Sequence, residues 1–353
     1  MTRPVLFVTN HAPPFRLGAF ARLHEREDVT FALIGGGVRH GGGAGDGAGA
    51  FPVLRVRERD VLALAASGEY RAVVAGLSGR LALPSAYAGA RRARVPFVLW
   101  ATIWAHPRTP AHALSYGPLR HLYRHADAIA TYGPHVSAYV RSKGARQTVV
   151  VAPQSVDNEW WGRQSDAMRR AAFQAAFVGR IAREKGSQVL IQAWRISGLS
   201  ALSAALVLVG GGPIRARAVA TGAVLPEGPR PPGEVRNFYA GSDVVVLPSI
   251  PTRDFREPWG LTVNEAFNQG VPVIATDAVG AVAGGLVRHE RTGLVVPAGD
   301  AVALAAALRR MHDEPALRAR LGAAAREAVR AYTHDAWAAG VSNALAAVGV
   351  SRC

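Results

Sequence analysis

The chain has 353 residues, which at roughly 100–200 residues per domain predicts two domains, and 49% hydrophobic residues rule out intrinsic disorder as its main state. No apolar run reaches the ~18 residues that a membrane span needs. The single cysteine, Cys353, excludes a disulfide framework and a cysteine-based metal site. The first apolar stretch, of about four residues, is shorter than the ~7–15 of a signal-peptide core, so we expect a buried first strand in a cytoplasmic protein.

The formal net charge is +16, and most of the excess lies in the first half of the chain. Residues 1–150 contain 19 Arg/Lys and 8 Asp/Glu, whereas residues 151–353 contain 22 and 17. A basic surface attracts nucleic acid, anionic lipid or a phosphorylated substrate, and charge alone does not choose among them. Only Lys143 and Lys185 among the 41 basic residues are lysine, so Lys185 keeps a compact ammonium in a chain that otherwise uses arginine.

Short runs of Val, Ile and Leu alternate with helix-spaced stretches along the first half, which predicts a parallel sheet wrapped by helices. Continuous apolar runs suit strands that are buried on both faces. The segment Gly35–Gly49 is so rich in glycine that we expect a mobile loop, because glycine loses the most backbone freedom on folding. The predicted strands are Pro4–Thr9, Val29–Ile34, Ala72–Gly76, Pro96–Ala101, Asp127–Thr131 and Thr148–Ala152.

The second half repeats this alternation after a polar linker, which places a domain boundary near residues 155–170. The chain ends in three helix-forming stretches, and the last has few partners left in its own domain. We predict an N-terminal domain over 1–160, a C-terminal domain over 161–335, and a C-terminal helix over 336–353, for which packing on the N-terminal domain is one option. The predicted elements are strands Phe173–Gly179, Ala204–Val209, Val244–Pro248, Val271–Ala275 and Gly293–Val296, and helices Ala301–Met311, Pro315–Tyr332 and Ala336–Val348.

The segment Gly179–Gly186 is the strongest candidate for a binding site, because it directly follows one predicted strand and precedes a helix. It carries Arg180 and Lys185 next to small residues that let a ligand approach the backbone. Ligands of open α/β sheets bind outside the carboxyl ends of the strands. Guanidinium offers a bidentate fork and ammonium a compact charge, so the segment suits a diphosphate. A solvated basic turn is the structural alternative.

A second motif, Glu257–Gly270, places two carboxylates eight positions apart. Glu257 precedes a predicted helix, and Glu265 lies about one turn inside it. Carboxylates accept hydrogen bonds from paired hydroxyls, so a nucleotide sugar, which is both phosphate and polyol, suits both motifs. A capping role for Glu257 and a surface position for Glu265 are the alternatives. The helix N-terminus, which attracts an anion, is formed by Gly260, Leu261 and Thr262.

The patterns G-R-x4-K-G, E-x7-E and N-x-G-x-P-V-I-A-T, over about residues 173–300, resemble a retaining glycosyltransferase of family four. The resemblance implies the GT-B fold, in which two doubly wound Rossmann-like domains of the α/β class face a central cleft. It implies that Arg180 and Lys185 hold the donor diphosphate, and that Glu257 and Glu265 meet the hydroxyls of the sugar and of the ribose. It also implies a metal-independent reaction in which the departing phosphate oxygen takes the acceptor proton.

Further residues gain a role through the same resemblance. The family often places a histidine beside the donor sugar, and His106, which follows the strand Pro96–Ala101, would fill that place; a structural histidine is the alternative. Paired glycines often follow the first strand near the donor phosphates, where this chain has Gly18 alone. In the resembled family, the turn after the strand Ala204–Val209 lies near the nucleotide, and in this chain that turn contains Gly211. A plain tight turn is the alternative. The stretch after Asp277 lacks the family's usual Gly-Gly and glutamate.

The sequence therefore predicts transfer of a sugar from a nucleoside diphosphate sugar, UDP or GDP based, to a lipid-linked, polysaccharide or natural-product acceptor. No Asp-x-Asp pair or His/Asp cluster indicates a metal, and no cofactor is expected besides the donor substrate. A nucleotide-dependent oxidoreductase is one alternative. It requires a glycine fingerprint directly after the first strand, and residues 9–14 of this chain contain no glycine. A basic nucleic-acid-binding protein is another, but no binding motif accompanies the dispersed arginines, so we expect no nucleic acid partner.

The basic first half also predicts peripheral contact with an anionic membrane, at the cytoplasmic leaflet. Arg91, Arg92 and Arg94 form its densest local cluster, flanked by Tyr87 and Phe97. Basic residues near such a surface contribute about 1 kcal/mol each, so a few of them would recruit the protein measurably. The alternative is a chain that is basic throughout without a dedicated surface.

Overall fold

The computed structural model describes residues 3–35, 50–212 and 224–352. The chain forms two compact units, Met1–Asp157 with Tyr332–Cys353, and Asn158–Ala331. These boundaries lie a few residues before the predicted ones at 160/161 and 335/336. The helix Asn158–Gly162 belongs to the second unit because its Trp161 packs there, with its ring centroid 5.8 Å from that of Tyr239.

The first unit is built on a seven-stranded parallel sheet in the order β3-β2-β1-β4-β5-β6-β7. Its central strands β1, β4, β5 and β6 are buried along their whole length, as their apolar sequences predict. The sequence did not predict β3, which is a short edge strand with two exposed residues. The strands are β1 (Val5–Thr9), β2 (Val29–Leu33), β3 (Val53–Arg55), β4 (Ala72–Gly76), β5 (Phe97–Ala101), β6 (Ala128–Thr131) and β7 (Thr148–Val151).

Helices cover both faces of this sheet, and the last helix of the chain is one of them. The terminal helix His334–Ala346 packs on the helix Pro14–Glu27 and on β6 and β7. Its Trp337 is fully buried in the same apolar cluster as Phe7 of β1. The other helices of the unit are Val61–Ala65, Ala82–Ala93, Pro110–His125 and Pro134–Ser142.

The second unit has a six-stranded parallel sheet in the order β10-β9-β8-β11-β12-β13. The sequence did not predict β10, because Pro226 and Glu227 interrupt its apolar run and its pairing with β9 contains a register shift. The strands are β8 (Phe173–Val178), β9 (Ala204–Val209), β10 (Val224–Gly228), β11 (Val244–Leu247), β12 (Val273–Thr276) and β13 (Gly293–Val296). The helices are Asn158–Gly162, Ser187–Ser197, Pro232–Ala240, Leu261–Asn268, Gly280–Ala283, Ala301–Asp313 and Pro315–Val329.

Two doubly wound parallel sheets of the α/β class confirm the predicted fold class. In the second sheet β8 lies between β9 and β11, so the strand order reverses beside β8. Open α/β sheets bind ligands at such a reversal, outside the carboxyl ends of the strands. The loops that follow β8 and β11 are therefore where the fold places a ligand. Apart from Gly35, the predicted glycine-rich loop lies outside the described residues.

Within the described segments, none of the helices combines the length and the apolar character that crossing a bilayer requires. The arginines that the sequence assigned to a membrane contact lie in the first unit. Arg91 and Arg92 are exposed in the last turn of the helix Ala82–Ala93, and Arg94 ends that helix in the left-handed conformation.

Gly340 tests how tightly the terminal helix is seated. A Cβ atom there would lie 2.5 Å from the carbonyl oxygen of Val151 and from Cα of Ala152. Alanine favours a helix over glycine by about 1 kcal/mol, but overpacking against a backbone that cannot yield costs about 1–3 kcal/mol. We expect Gly340→Ala to lower the free energy of unfolding, measured in urea. Gly117→Ala, in a helix position with no atom within 4 Å of the added Cβ, should keep or raise it; equal losses in both variants would contradict this packing.

Candidate functional site

The segment after β8 follows a path that only glycine permits at two points. Gly179 has φ +142°, and a Cβ atom added to it would meet no atom within 4 Å, so its backbone is open to approach. Gly186 has φ +70°, and a Cβ atom there would lie 1.7 Å from the carbonyl oxygen of Pro248. The short 3-10 turn Arg183–Lys185 is therefore pressed against the segment that follows β11, which brings Lys185 to the end of the neighbouring strand.

Lys185 and Glu257 form the central ion pair of this edge. The Lys185 ammonium donates to Oε2 of Glu257, which also accepts a hydrogen bond of 3.1 Å from the Ser249 hydroxyl. The ammonium lies 5.1 Å from the centroid of the Phe255 ring. Glu257 is buried, and the Lys185 side chain keeps a quarter of its surface exposed. A buried carboxylate needs such a cation, and the exposed part of the ammonium can still bind an anion.

The second motif also lies at this edge. Gly260 has φ +95° and precedes the helix Leu261–Asn268, so the first-turn amides of Leu261 and Thr262 have no earlier acceptor within the helix. The Thr262 hydroxyl is 3.4 Å from the carbonyl oxygen of Val178, the last residue of β8. The helix therefore starts beside the segment Gly179–Gly186, where its first amides can bind an anionic group.

The residues around Glu257 are fixed by backbone bonds to the stretch after Asp277. The Gly280 amide donates to the Glu257 carbonyl over 3.1 Å, and the Ala281 amide donates to the Trp259 carbonyl over 2.8 Å. A Cβ atom on Gly280 would lie 2.0 Å from the carbonyl oxygen of Pro258. This stretch, which lacks the family's usual Gly-Gly and glutamate, thus holds the Glu257 loop in place.

The turn that contains Gly211 packs against the same segment. The Ile181 amide donates to the Gly211 carbonyl over 2.8 Å, and the Gly210 amide donates to the Gly228 carbonyl over 2.8 Å. A Cβ atom on Gly210 would lie 1.9 Å from the carbonyl oxygen of Gly179. The Gly211 turn therefore lies beside the Arg180 segment, and its predicted contact with a nucleotide stays a prediction.

Glu265 is the most perturbed carboxyl group of the site. It is half-buried in the helix Leu261–Asn268, and the Tyr239 hydroxyl donates to its Oε2 over 2.7 Å. Burial raises the pKa of Glu265 to about 7, against the hydrogen bond from Tyr239, which lowers it. Burial and the neighbouring carboxyl raise the pKa of Tyr239 well above its usual range. Near neutral pH, the Glu265 side chain is therefore protonated in part of the molecules, and it must lose this proton before it can accept hydrogen bonds as a carboxylate.

Three other predicted site residues are not part of the ion pair between Lys185 and Glu257. They are Arg180, His106 and Gly18. Arg180 is mostly exposed and pairs with Glu184 of its own loop. His106 lies in the first unit after β5, where Nε2 donates to the His112 carbonyl over 2.6 Å and leaves Nδ1 as a buried acceptor without a partner among the described residues. Gly18 lies inside the helix Pro14–Glu27, where its amide bonds within the helix.

A packing role accounts for Gly18. A Cβ atom there would lie 2.3 Å from Nδ1 of His334 in the terminal helix, so only glycine leaves room for that imidazole. The structure offers no free amide at Gly18 for a phosphate, contrary to the sequence-based expectation. Gly18 was expected at the donor phosphates because it follows the first strand, as the paired glycines of the resembled family do. Its contact with the terminal helix is made across the fold and cannot be read from that position.

The sequence did not predict three residues that lie next to the candidate site residues. Ser249 contacts Glu257, Phe255 lies beside Lys185, and Tyr239 contacts Glu265. Ser249 could have been found, because it lies just after β11 at the carboxyl edge of the sheet. Tyr239 belongs to a different helix from Glu265, and nothing in the local pattern pairs the two.

The raised pKa of Glu265 predicts a pH dependence of stability. Its pKa is about 7 in the folded state, against about 4.3 in an unfolded chain. Between these values the folded state keeps a proton that the unfolded state has lost, so stability falls as pH rises from about 4.5 to about 7. Glu265→Gln removes this titration and keeps an acceptor for Tyr239. The variant should therefore gain on the wild type by up to about 3 kcal/mol between pH 5 and pH 8 in urea unfolding.

The control for this prediction is Glu327→Gln, because Glu327 keeps 70% of its side chain exposed. Its stability should follow that of the wild type at every pH. Parallel pH curves for Glu265→Gln and the wild type would show that Glu265 is ionised as easily in the folded chain as in the unfolded one.

Comparison with known proteins finds a family match within the second unit. Residues 172–314 match the family model "Glycosyl transferases group 1". The chain is 32% identical over 241 residues to the lipopolysaccharide core biosynthesis glycosyltransferase LpsD of Rhizobium meliloti, covering 63% of this chain and 66% of LpsD. It is 33% identical over 189 residues to the D-inositol 3-phosphate glycosyltransferase of Pseudarthrobacter chlorophenolicus, covering 48% and 41%. The matches thus span less than two thirds of these relatives.

Solved structures match over nearly the whole chain. HepE of Anabaena in complex with UDP superposes with a TM-score of 0.74 at 18% identity, covering 97% of this chain and 99% of HepE. Sucrose-phosphate synthase of Thermosynechococcus elongatus superposes with a TM-score of 0.71 at 19% identity, covering 97% and 98%. At this identity the likeness shows the fold. The chain therefore has the GT-B fold, and residues 172–314 of its second unit match the glycosyl transferases group 1 model.

Proposed function

We propose that this protein is a retaining glycosyltransferase of family four that transfers a sugar from a nucleoside diphosphate sugar. One observation carries the proposal: the Lys185 ammonium, the Glu257 carboxylate and the N-terminus of the helix Leu261–Asn268 lie at one edge of the second sheet. A cation, amide donors and a carboxylate together match a ligand that is both diphosphate and polyol. The family of the domain and its sugar-transferring relatives support it.

The diphosphate is proposed to bind Arg180, Lys185 and the first-turn amides of the helix Leu261–Asn268. Both cations have carboxylate partners in the structure, Glu184 for Arg180 and Glu257 for Lys185. The exposed part of each side chain lets a phosphate join or replace its carboxylate partner, and a guanidinium can then bind two phosphate oxygens at once. Gly179 lets the diphosphate come close to the backbone, because no atom lies within 4 Å of where its Cβ would be.

The hydroxyl groups of the donor are assigned to the two glutamates. Glu257 is buried and fixed through its own carbonyl, so it can accept hydrogen bonds from sugar hydroxyls in a constant orientation. Glu265 would accept the ribose hydroxyls, which favours a ribonucleotide. HepE is known in complex with UDP-glucose, and this supports UDP over GDP as the carrier in this chain.

The chemistry proposed is substitution at the anomeric carbon with retention of configuration. The bond from that carbon to the phosphate oxygen breaks, and a bond to the acceptor hydroxyl oxygen forms on the same face. The leaving phosphate oxygen takes the hydroxyl proton, so no protein base is required. Arg180, Lys185 and the helix amides balance the charge on the leaving diphosphate, which is why we propose a metal-independent reaction. His106 is proposed to meet a donor-sugar hydroxyl.

The acceptor is proposed to bind the first unit. LpsD acts in lipopolysaccharide core biosynthesis by its name, and the other relative is named for D-inositol 3-phosphate. A lipid-linked or polysaccharide acceptor suits the first name, and a small polar acceptor suits the second. Offering a panel of nucleotide sugars to a cell extract and to its separated lipid fraction, with mass analysis of the products, would identify donor and acceptor together.

The diphosphate assignment is tested by Arg180→Ala and Lys185→Ala. Losing one charge-assisted contact to a desolvated diphosphate costs about 2–4 kcal/mol of transition-state stabilisation, so kcat/KM for the donor should fall by orders of magnitude. Arg195→Ala, which removes an exposed arginine from the helix Ser187–Ser197, should leave turnover unchanged. A near-normal kcat/KM for the donor in both test variants would overturn the assignment.

We further propose that the first unit rests on an anionic membrane surface. Residues 80–147 contain ten Arg/Lys and one acidic residue, Asp127. Asp127 is already paired with Arg91 over 3.1 Å, and the Arg91 guanidinium also lies 4.9 Å from the Tyr87 ring. Arg91, the first residue of the predicted cluster, is thus largely engaged within the protein. The exposed helix Pro110–His125, where Leu114 is 83% exposed, extends the proposed surface and suits partial insertion between lipid head groups.

Vesicle co-sedimentation tests this contact. Binding to anionic vesicles should exceed binding to neutral ones and should weaken with added salt, because basic residues near the surface contribute about 1 kcal/mol each. A fourfold Arg→Gln variant of the surface should lose most of the binding, and a fourfold variant of the second unit should keep it. Equal, negligible binding to both vesicle types would leave a soluble acceptor as the better account. The surface residues are Arg92, Arg94, Arg120 and Arg124, and the control residues are Arg183, Arg195, Arg291 and Arg330, all exposed.

A further inference from the structure

Arg16 is a buried cation at the carboxyl edge of the first sheet. Only 2% of its surface is exposed, although it lies in the first turn of the helix Pro14–Glu27 that directly follows β1. Four aromatic rings surround its guanidinium, with centroids 5.3–5.7 Å from the guanidinium carbon. The rings belong to Phe15, Trp100, Tyr132 and Trp337.

The positive charge of Arg16 has no carboxylate partner among the described residues. Among the described residues, its only polar contact to a side chain is with Gln154, a neutral amide that accepts a hydrogen bond from Nη2. The Nη1 group is buried and has no acceptor in the described part of the chain. Burial lowers the pKa of Arg16, because no nearby carboxylate offsets the loss of water. An arginine in this position normally has an anion next to it.

Two further donors beside Arg16 lack acceptors. The indole N–H groups of Trp100 and Trp337 are buried, and neither has a hydrogen-bond partner within residues 3–35, 50–212 and 224–352. The two indole rings lie 5.7 Å apart, and both are in contact with the guanidinium. A buried cluster with several unused N–H donors and one uncompensated positive charge matches an oxyanion in both hydrogen bonding and charge.

The location of Arg16 agrees with a ligand site. Trp100 is near the end of β5, Tyr132 follows β6 and Gln154 follows β7, so the cluster gathers at the carboxyl ends of the strands. This is the edge where open α/β sheets bind ligands. Phe15 and Tyr132 are only half-buried, so a single layer of side chains separates the guanidinium from solvent. Rotation of either ring would open the cation to an anion.

We propose that Arg16 and its neighbouring indoles form a binding site for an oxyanion group, a phosphate or a carboxylate, in the first unit. The site goes beyond the diphosphate contacts proposed above, which lie in the second unit, and it rests on residues that have no role in the proposed sugar transfer. The competing explanation is that the four rings stabilise the cation through cation–π contacts alone and that Arg16 only holds the aromatic cluster together. The two explanations differ in whether an added anion changes the stability of the protein through Arg16.

The experiment uses inorganic phosphate as the probe and the thermal midpoint of the full chain as the readout. Phosphate is compared with chloride at equal ionic strength, because a ligand that binds the folded state raises the midpoint by mass action. The background is the Arg180→Ala, Lys185→Ala double variant, in which the proposed diphosphate contacts are absent. Phosphate should raise the midpoint of this background by several degrees over chloride. Adding Arg16→Met should abolish the rise, and adding Arg92→Met, which removes an exposed arginine of the same unit, should preserve it.

Every outcome separates the two explanations. The same rise with Arg16→Met as without it, or no rise over chloride with either phosphate or acetate in the background, overturns the proposal. If Arg16→Met does not fold, Arg16→Gln replaces it, and failure of both to fold assigns Arg16 to holding the aromatic cluster and also overturns the proposal. An acetate series run in parallel separates a carboxylate ligand from a phosphoryl ligand. The donor proposal fails on a different measurement, the turnover of the Arg180→Ala and Lys185→Ala single variants.

Discussion

The site of the second unit depends on how closely its backbone segments approach one another. Gly186 lies against the carbonyl of Pro248, Gly210 against that of Gly179, and Gly280 against that of Pro258. Each approach brings together two loops that follow different strands, at distances where a Cβ atom would overlap a carbonyl group. Because backbone touches backbone, the loops leave little room for side-chain rearrangement, and the charged groups they carry keep a defined spacing.

This spacing determines the electrostatics of the edge. Lys185 comes from the loop after β8 and Glu257 from the loop after β11, so their ion pair joins two separate segments of the sheet. Glu265 is in a different situation, since burial keeps its carboxyl group protonated to a higher pH and its partner, Tyr239, is neutral. Two glutamates eight positions apart thus have unlike environments, one paired with a cation and one held among uncharged groups. Environments that separate two carboxyl groups in this way are typical of sites that use them for different tasks.

Much of the fold could be predicted from local patterns, and the failures have physical causes. Strands such as β4, β5 and β11 are continuous apolar runs because both faces of a parallel sheet are covered. Two edge strands lack that signal, because β3 has only three residues and β10 is interrupted by Pro226 and Glu227. The motif around Lys185 and Glu257 was visible because both residues directly follow strands. Contacts made across the fold, such as Tyr239 with Glu265 or His334 with Gly18, leave no local trace in the sequence.

The position of the terminal helix has a consequence for the order in which the chain can fold. Domains generally fold as units during synthesis, starting from the N-terminus. The first unit cannot do so completely, because its core includes Trp337, Val341 and Leu345, which are made after the whole second unit. Until then the faces of Phe7 and Phe20 that pack on Trp337 remain uncovered. The second unit, whose residues are continuous in sequence, is free to finish first, so the half that begins the chain is the last to be completed.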